Sequence, residues 1–307
     1  MKKTLSYSIR FAVAAALIGI LLYKLDLKQI AENFILLRPL PFLIAIAVNG
    51  FGIFLSALRW KVFLRSQGED PPILGLFKVY LISLFLGNIL PSGAGIDIMR
   101  GIYLSRHTGK KAHSFASVII DRILGFIAIM IIALLSLPFG FEEIRPFRKI
   151  VLLMAVVIIG GTFISLIPAV HRVLTVLLLK IPLGEKFKKL YDAFYSYRDK
   201  RETLILGLVL SFMIQLSFVG AAYMSGVALS LHLPVFKVIF YVTLINLLAA
   251  IPLSVGGIGL RESGFVLFFG DMIGRETAFA LSVTYYLSGL INSLIGALFL
   301  MVGKDKI

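Results

Sequence analysis

Apolar residues in this chain come in long blocks rather than alternating or recurring once per helical turn. The blocks reach the roughly 20 residues that an α-helix needs to cross the hydrocarbon core of a bilayer. Six stretches read as full spans, at about residues 7–24, 40–64, 112–137, 149–168, 203–231 and 277–302. Two more apolar segments, about 73–107 and 235–271, are interrupted. The breaks are Leu90-Pro-Ser-Gly-Ala-Gly-Ile-Asp97 and Ile251-Pro-Leu-Ser-Val-Gly-Gly-Ile-Gly-Leu-Arg-Glu262. The longest stretch without a membrane candidate runs only from about Lys180 to Glu202. Within it Phe187, Leu190, Tyr191, Phe194 and Tyr195 recur at helical spacing opposite basic residues. That pattern predicts an interfacial helix over 185–200, lying in the headgroup plane.

Composition narrows the class. Of 307 residues, 59% are hydrophobic and 15% charged, and the mean hydropathy is +0.97, which excludes a soluble globular protein. The first apolar run follows Lys2 and Lys3, but no small-residue cleavage pattern follows it, so it reads as a retained span and not a signal peptide. The net charge of +15 sits mostly in short loops, where lysine and arginine act as retention signals and anionic-lipid contacts. No basic cluster is interleaved with stacking aromatics, so nucleic acid is not an expected partner. With no cysteine, disulfides, thiolate chemistry and cysteine metal sites drop out together.

Basic residues also set the expected orientation. Lys2, Lys3, Lys61, Arg65, Lys110, Lys111, Lys180, Lys186 and Arg201 fall on one side, and a smaller, acid-mixed set on the other. The first side is expected to be the cytoplasm, with both termini there, in a multi-pass protein of the cytoplasmic (inner) membrane. The sides close only if each interrupted segment enters and leaves by the same face. Segment 73–107 then re-enters from the cytoplasm and 235–271 from outside. The expected fold class is an all-α polytopic membrane protein of two inverted-topology repeats, each with three spans and one re-entrant helical hairpin. The repeats are placed at 1–140 and 141–307, and Ser92-Gly-Ala-Gly-Ile-Asp97 aligns without gaps on Ser254-Val-Gly-Gly-Ile-Gly259. Full crossing of both segments as kinked spans is the alternative.

Broken helices are tolerated in membranes only where the freed backbone is buried in protein or lines a wet cavity, and a matched pair of them points to a transporter's substrate site. Pro91 and Pro252 break the helix ladders. Ser92, Gly93, Gly95, Ser254, Gly256, Gly257 and Gly259 permit the reversal. The helices restarting after each break carry partial positive charge at their N-termini, and Arg100 and Arg261 lie within a turn of them. Close helix packing is the other use for such glycines. Asp121 and Arg122 stand deep in an apolar run, with Asp121 expected to pair with Arg100 and Arg122 to reach a lipid phosphate. Asp97, Asp121 and Glu262 are coupling or ion-pair candidates, and Asp97 is also a candidate helix cap. Arg59 and Trp60 read as interfacial anchors, and Asn49, Asn88, Gln215, Asn246 and Asn292 as interhelical hydrogen-bond formers. No catalytic residue, metal ligand set or cofactor motif is assigned. The four histidines form no ligand cluster, and Gly256-Gly-Ile-Gly259 lacks the strand–helix context of a dinucleotide fingerprint.

At these residues the chain resembles a known family. Gly87-Asn-Ile-Leu-Pro-Ser-Gly-Ala-Gly-Ile-Asp-Ile-Met-Arg100 with Ser117-Val-Ile-Ile-Asp-Arg122, and then Ile251 to Glu262, are similar to two signatures of the lysylphosphatidylglycerol synthase transmembrane-region family, which includes UPF0104-type integral membrane proteins. The likeness covers essentially the whole chain. In bifunctional bacterial members this region is similar to a flippase for aminoacylated phosphatidylglycerol, and other members are linked to hopanoid lipids and archaeal lipid-linked glycans. The sequence ends at Ile307 without the aminoacyl-transfer domain, so a lipid translocase and not a synthase is expected. The expected partners are membrane lipids with an anionic or phosphate-containing headgroup, with homo-oligomerisation left open. A membrane-embedded lipid-modifying transferase and a small-anion secondary transporter are the alternatives.

Overall fold

A computed structural model describes residues 12, 15–89, 95–139, 144–180, 184–250 and 254–302, and every regular element among them is helical. The order is α1 (Ala15–Lys24), α2 (Leu27–Ile35), α3 (Pro39–Arg65), α4 (Ile73–Ile89), α5 (Gly95–Thr108), α6 (Lys111–Ser136), α7 (Arg148–Ala155), α8 (Gly161–Ser165), α9 (Pro168–Leu179), α10 (Gly184–Tyr195), α11 (Arg201–Ala228), α12 (Val235–Ala250), α13 (Leu260–Ile273) and α14 (Arg275–Val302). A π-helical turn, Val156–Gly160, joins α7 to α8 into one rod. Helix starts follow local chemistry. Asp26 caps α2 by accepting the Lys28 N–H at 2.8 Å, and prolines with preset φ open α3 and α9.

Five helices are long and apolar enough to cross a membrane: Pro39–Arg65, Lys111–Phe139, Arg145–Ser165, Arg201–Ala228 and Arg275–Met301. The chain is therefore an all-α, multi-pass membrane protein. The sixth expected span is described as a helix only over Ala15–Lys24, its earlier part lying largely outside the described residues. The two interrupted segments form helix pairs, α4 with α5 and α12 with α13, each pair packed together. Their turns at 90–94 and 251–253 lie outside the described residues.

The centre of the molecule is α3 packed lengthwise on α11. A Cβ at Gly52 of α3 would meet the Phe218 ring of α11 at 2.9 Å, and one at Gly207 of α11 would meet the Phe63 ring of α3 at 2.5 Å. The pairing is antiparallel, each helix seating an aromatic ring on the other's glycine, which is how membrane helices gain contact without a hydrophobic drive. Around this pair the contacts recur in twos. Helix α4 packs on α14 and α12 on α6; α5 packs on α6 and α13 on α14; α3 packs on α4 and α11 on α12. The α4–α14 contact is backbone-close, since a Cβ on Gly296 would lie 2.1 Å from the Leu81 carbonyl oxygen.

Polar side chains inside the apolar runs link helices. Asn88 donates to Ser293 at 3.1 Å, Gln215 to Thr243 at 3.2 Å and Asn292 to the Ile46 carbonyl at 2.9 Å, and Asn246 accepts from Tyr285 at 3.4 Å. Two local expectations change. The amphipathic helix α10 does not keep its apolar face for lipid headgroups: Ala193 and Phe194 are buried against α6, Tyr197 beyond it donates to the Phe63 carbonyl at 3.2 Å, and only Phe187 of the stripe is largely exposed. The short apolar helix α9, absent from the sequence reading, begins at Pro168 immediately after the Arg145–Ser165 rod ends.

Candidate functional site

Four helices bring a charged network into the interior. Asp121 of α6, 1% exposed, accepts from Arg59 Nε of α3 at 2.7 Å and from Arg100 Nη1 of α5 at 2.9 Å. Arg59 Nη1 also donates to Ser211 Oγ of α11 at 2.6 Å. Arg122, the next residue of α6, donates to Asp97 in the first turn of α5, and Asp97 lies 3.6 Å from Arg100. Successive helical residues point about 100° apart, so the Asp121–Arg122 pair serves two partners instead of one another. The Arg100 Cζ lies 4.4 Å from the Trp60 ring centroid and 4.3 Å from that of Tyr80, within cation–π range of both. Trp60 is fixed in turn by donating to Ser117 at 3.0 Å.

The charged groups, with Tyr80 and Ser211, line a cavity of about 430 Å³ that takes walls from both helix pairs. Gly87, Asp97 and Arg100 come from the first, and Ser254, Gly256, Gly257 and Arg261 from the second. The second break turns through Gly256, Gly257 and Gly259 at φ of 59°, 76° and 84°, a left-handed path open to glycine at little cost. A Cβ at Gly257 would also lie 2.8 Å from the Ala249 carbonyl oxygen, so this turn needs glycine twice over. Arg261 donates to the Gly256 carbonyl at 2.9 Å and lies 4.6 Å from the Tyr286 ring centroid. Glu262 faces its own helix start, accepting the Gly259 N–H at 2.6 Å.

The electrostatics of the cavity are lopsided. Four guanidinium groups (Arg59, Arg100, Arg122 and Arg261) line it against two carboxylates (Asp97 and Asp121), an excess of two positive charges among the described residues. Arg100 is 1% exposed, yet its Nε and Nη2 have no hydrogen-bond partner, and neither does Ser254 Oγ, also 1% exposed. A buried donor left unmade costs about 1–3 kcal/mol, and the net positive charge of the lining would suit an anion. No group of three histidine, aspartate or glutamate side chains capable of holding a metal occurs among the described residues.

Of the residues singled out in the sequence, Asp97, Arg100, Asp121, Arg122, Ser254, Gly256, Gly257 and Arg261 meet at this cavity. Gly95 begins α5, Gly259 and Glu262 form the start of α13, and Pro91, Ser92, Gly93 and Pro252 lie outside the described residues. Arg59 and Trp60 are corrected: they are buried members of the network, not interfacial anchors. The signal was present in α3 itself, where Gly52, Ser56, Arg59 and Phe63 recur at helical spacing on one stripe.

The fold and the cavity define a class: a polytopic membrane protein with two broken helix pairs converging on a charged interior site. The chain belongs to the family described as lysylphosphatidylglycerol synthase TM region, whose model matches residues 7–296. It is similar to two UPF0104 membrane proteins of Methanothermobacter thermautotrophicus. One is 22% identical over 254 residues (75% of each chain) and the other 24% identical over 279 residues (80% of each). A UPF0104 membrane protein of Pyrococcus horikoshii is 24% identical over 176 residues, 55% of this chain and 52% of that one.

Proposed function

We propose that this protein is a lipid translocase that moves an anionic, phosphate-bearing headgroup between leaflets. One observation carries the reading: one cavity takes walls from both helix pairs and, among the described residues, holds two more guanidinium groups than carboxylates. Both cavity carboxylates already face arginine, so a cationic group on the lipid would find no free partner and the net charge favours an anion. Membership of a family described by a phospholipid synthase supports a lipid over a free solute.

The mechanism follows from paired halves. We read residues 1–140 and 141–307 as inverted repeats, with α4–α5 and α12–α13 as re-entrant hairpins approaching the midplane from opposite sides and both termini cytoplasmic. The recurrence of helix contacts in twos about the antiparallel α3–α11 pair supports this reading. Rocking one half against the other would open the cavity to each leaflet in turn. A transferase reading is less favoured, because Asp97 and Asp121 are held by arginines and Glu262 by the Gly259 N–H, leaving none of the three poised as a general base.

The test is dithionite quenching of fluorescent lipids in proteoliposomes, comparing phosphatidylglycerol with phosphatidylcholine. Protein-dependent loss of inner-leaflet protection for the anionic lipid, reduced by Arg122→Ala and by Arg261→Ala, is expected. Equal rates for both lipids, unchanged in both variants, would overturn the assignment.

A further inference from the structure

Helix α6 turns two neighbouring faces toward two different spaces. Asp121, Arg122 and Gly125 look into the charged cavity, whereas Ile119 and Ile123 line a second cavity of about 590 Å³. Phe126 lines both. Because Ile119 and Ile123 bracket Asp121 and Arg122, the two spaces lie at the same level along the helix. Arg122 marks the junction, its Cζ 5.4 Å from the Phe126 ring centroid.

The second space is a groove built for hydrocarbon. Its remaining walls come from the π-helical turn and α8, from α9 and from α10. The hydroxyls that line it are already used inside the protein: Thr162 donates to the Ile158 carbonyl at 2.6 Å, Ser165 to the Thr162 carbonyl at 2.7 Å and Tyr191 to the Ser165 carbonyl at 2.6 Å. Nothing there asks for a polar ligand. A π turn, a feature often found at functional sites, shapes the wall, and a Cβ at Gly161 would meet no atom within 4 Å. The α9 and α10 walls are tied together by His171 Nε2 against Asp192 Oδ1 at 2.9 Å.

We propose that this groove binds one acyl chain of the same lipid whose anionic headgroup occupies the charged cavity, with Phe126 at the bend between them. The inference rests on the translocase reading and extends it: the protein holds the chain as well as the headgroup. Two features favour this occupant over bulk lipid. The groove shares a wall with the charged cavity, and the arginine at that wall complements a phosphate where headgroup and chain would join. A free anion would have no use for the groove.

The test uses the full chain in phosphatidylcholine nanodiscs doped with a phosphatidylglycerol carrying a diazirine in one acyl chain. Photolabelling is expected on peptides containing Ile119 and Ile123 or Leu174 and Leu178. It should fall roughly tenfold, the effect of 1.4 kcal/mol of binding, in Arg122→Ala and in Gly161→Leu, which fills the groove from open space. Leu178→Trp fills it from the opposite wall and serves where Gly161→Leu is poorly folded. Equal labelling by a diazirine phosphatidylcholine, unaffected by Arg122→Ala, would mean surface lipid only and overturn the proposal. Labelling that survives both groove-filling variants would also overturn it. Failure of the groove alone leaves phosphatidylglycerol flipping sensitive to Arg122→Ala; failure of the translocase reading removes that sensitivity too.

Discussion

The two broken helix pairs reach one cavity by different means. The first delivers charge: Asp97 and Arg100 of α5 are locked to Arg122, Asp121 and, through Asp121, to Arg59, so that α3, α5 and α6 are cross-linked inside the protein. The second delivers one cavity arginine, Arg261, and two bonds closed within the pair. Its turn runs through glycines of positive φ, its arginine bonds to its own turn, and its glutamate bonds to its own helix start. A network spanning several helices resists movement, whereas a turn closed on itself is free to move with its own helix pair. On the translocase reading proposed above, the first pair would serve as a fixed anion cradle and the second as a self-contained gate.

The sharpest way to break this contrast is Asp121→Ala. It leaves Arg59 and Arg100 buried without their shared carboxylate, and removing one partner of a buried ion pair costs about 3–5 kcal/mol. A large drop in thermal stability in detergent is expected, and near-wild-type melting would show that the cradle is not fixed by charge. Arg122→Ala comes next. Its side chain is one-third exposed, so the fold should survive, while loss of one charge-assisted contact, about 1.5–3 kcal/mol, should slow anionic-lipid flipping by roughly tenfold to a hundredfold.

Two smaller effects are local. Glu262→Ala removes a helix-start contact worth about 0.5–2 kcal/mol, and hydrogen exchange should rise at the start of α13 and not in α5. Spread of that exchange to α5 would contradict the independence of the two pairs. Asp192→Ala, outside both, should cost less than about 1 kcal/mol because its partners Lys188 and His171 are partly solvated. Increased protease access to α9 and α10 is the expected result, and unchanged access would show that this contact does not hold the two helices together.

Much of this was legible in the chain. The breaks, the spans from 40 onward and the pairing of Asp121 with Arg100 follow from how hard it is to place free backbone or lone charge in hydrocarbon. The role of Arg59 was misread because an arginine near a span's end has a cheaper explanation, snorkelling to the interface. What overrides it is the arrival of α6 and α11, with Asp121 and Ser211, from far along the chain. Likewise α10 reads as a surface helix until α6 is seen to offer its apolar stripe a protein surface.

By itself, then, the sequence determined that this is a multi-pass helical membrane protein with two glycine-broken segments and a few intramembrane charges, because the bilayer punishes any other use of such residues. Which charges meet, that both helix pairs wall one cavity and that an apolar groove adjoins it were decided by tertiary packing alone. The reason is physical: apolar length and backbone satisfaction are local properties of a segment, whereas the partner of a buried charge and the shape of a cavity depend on helices distant in sequence.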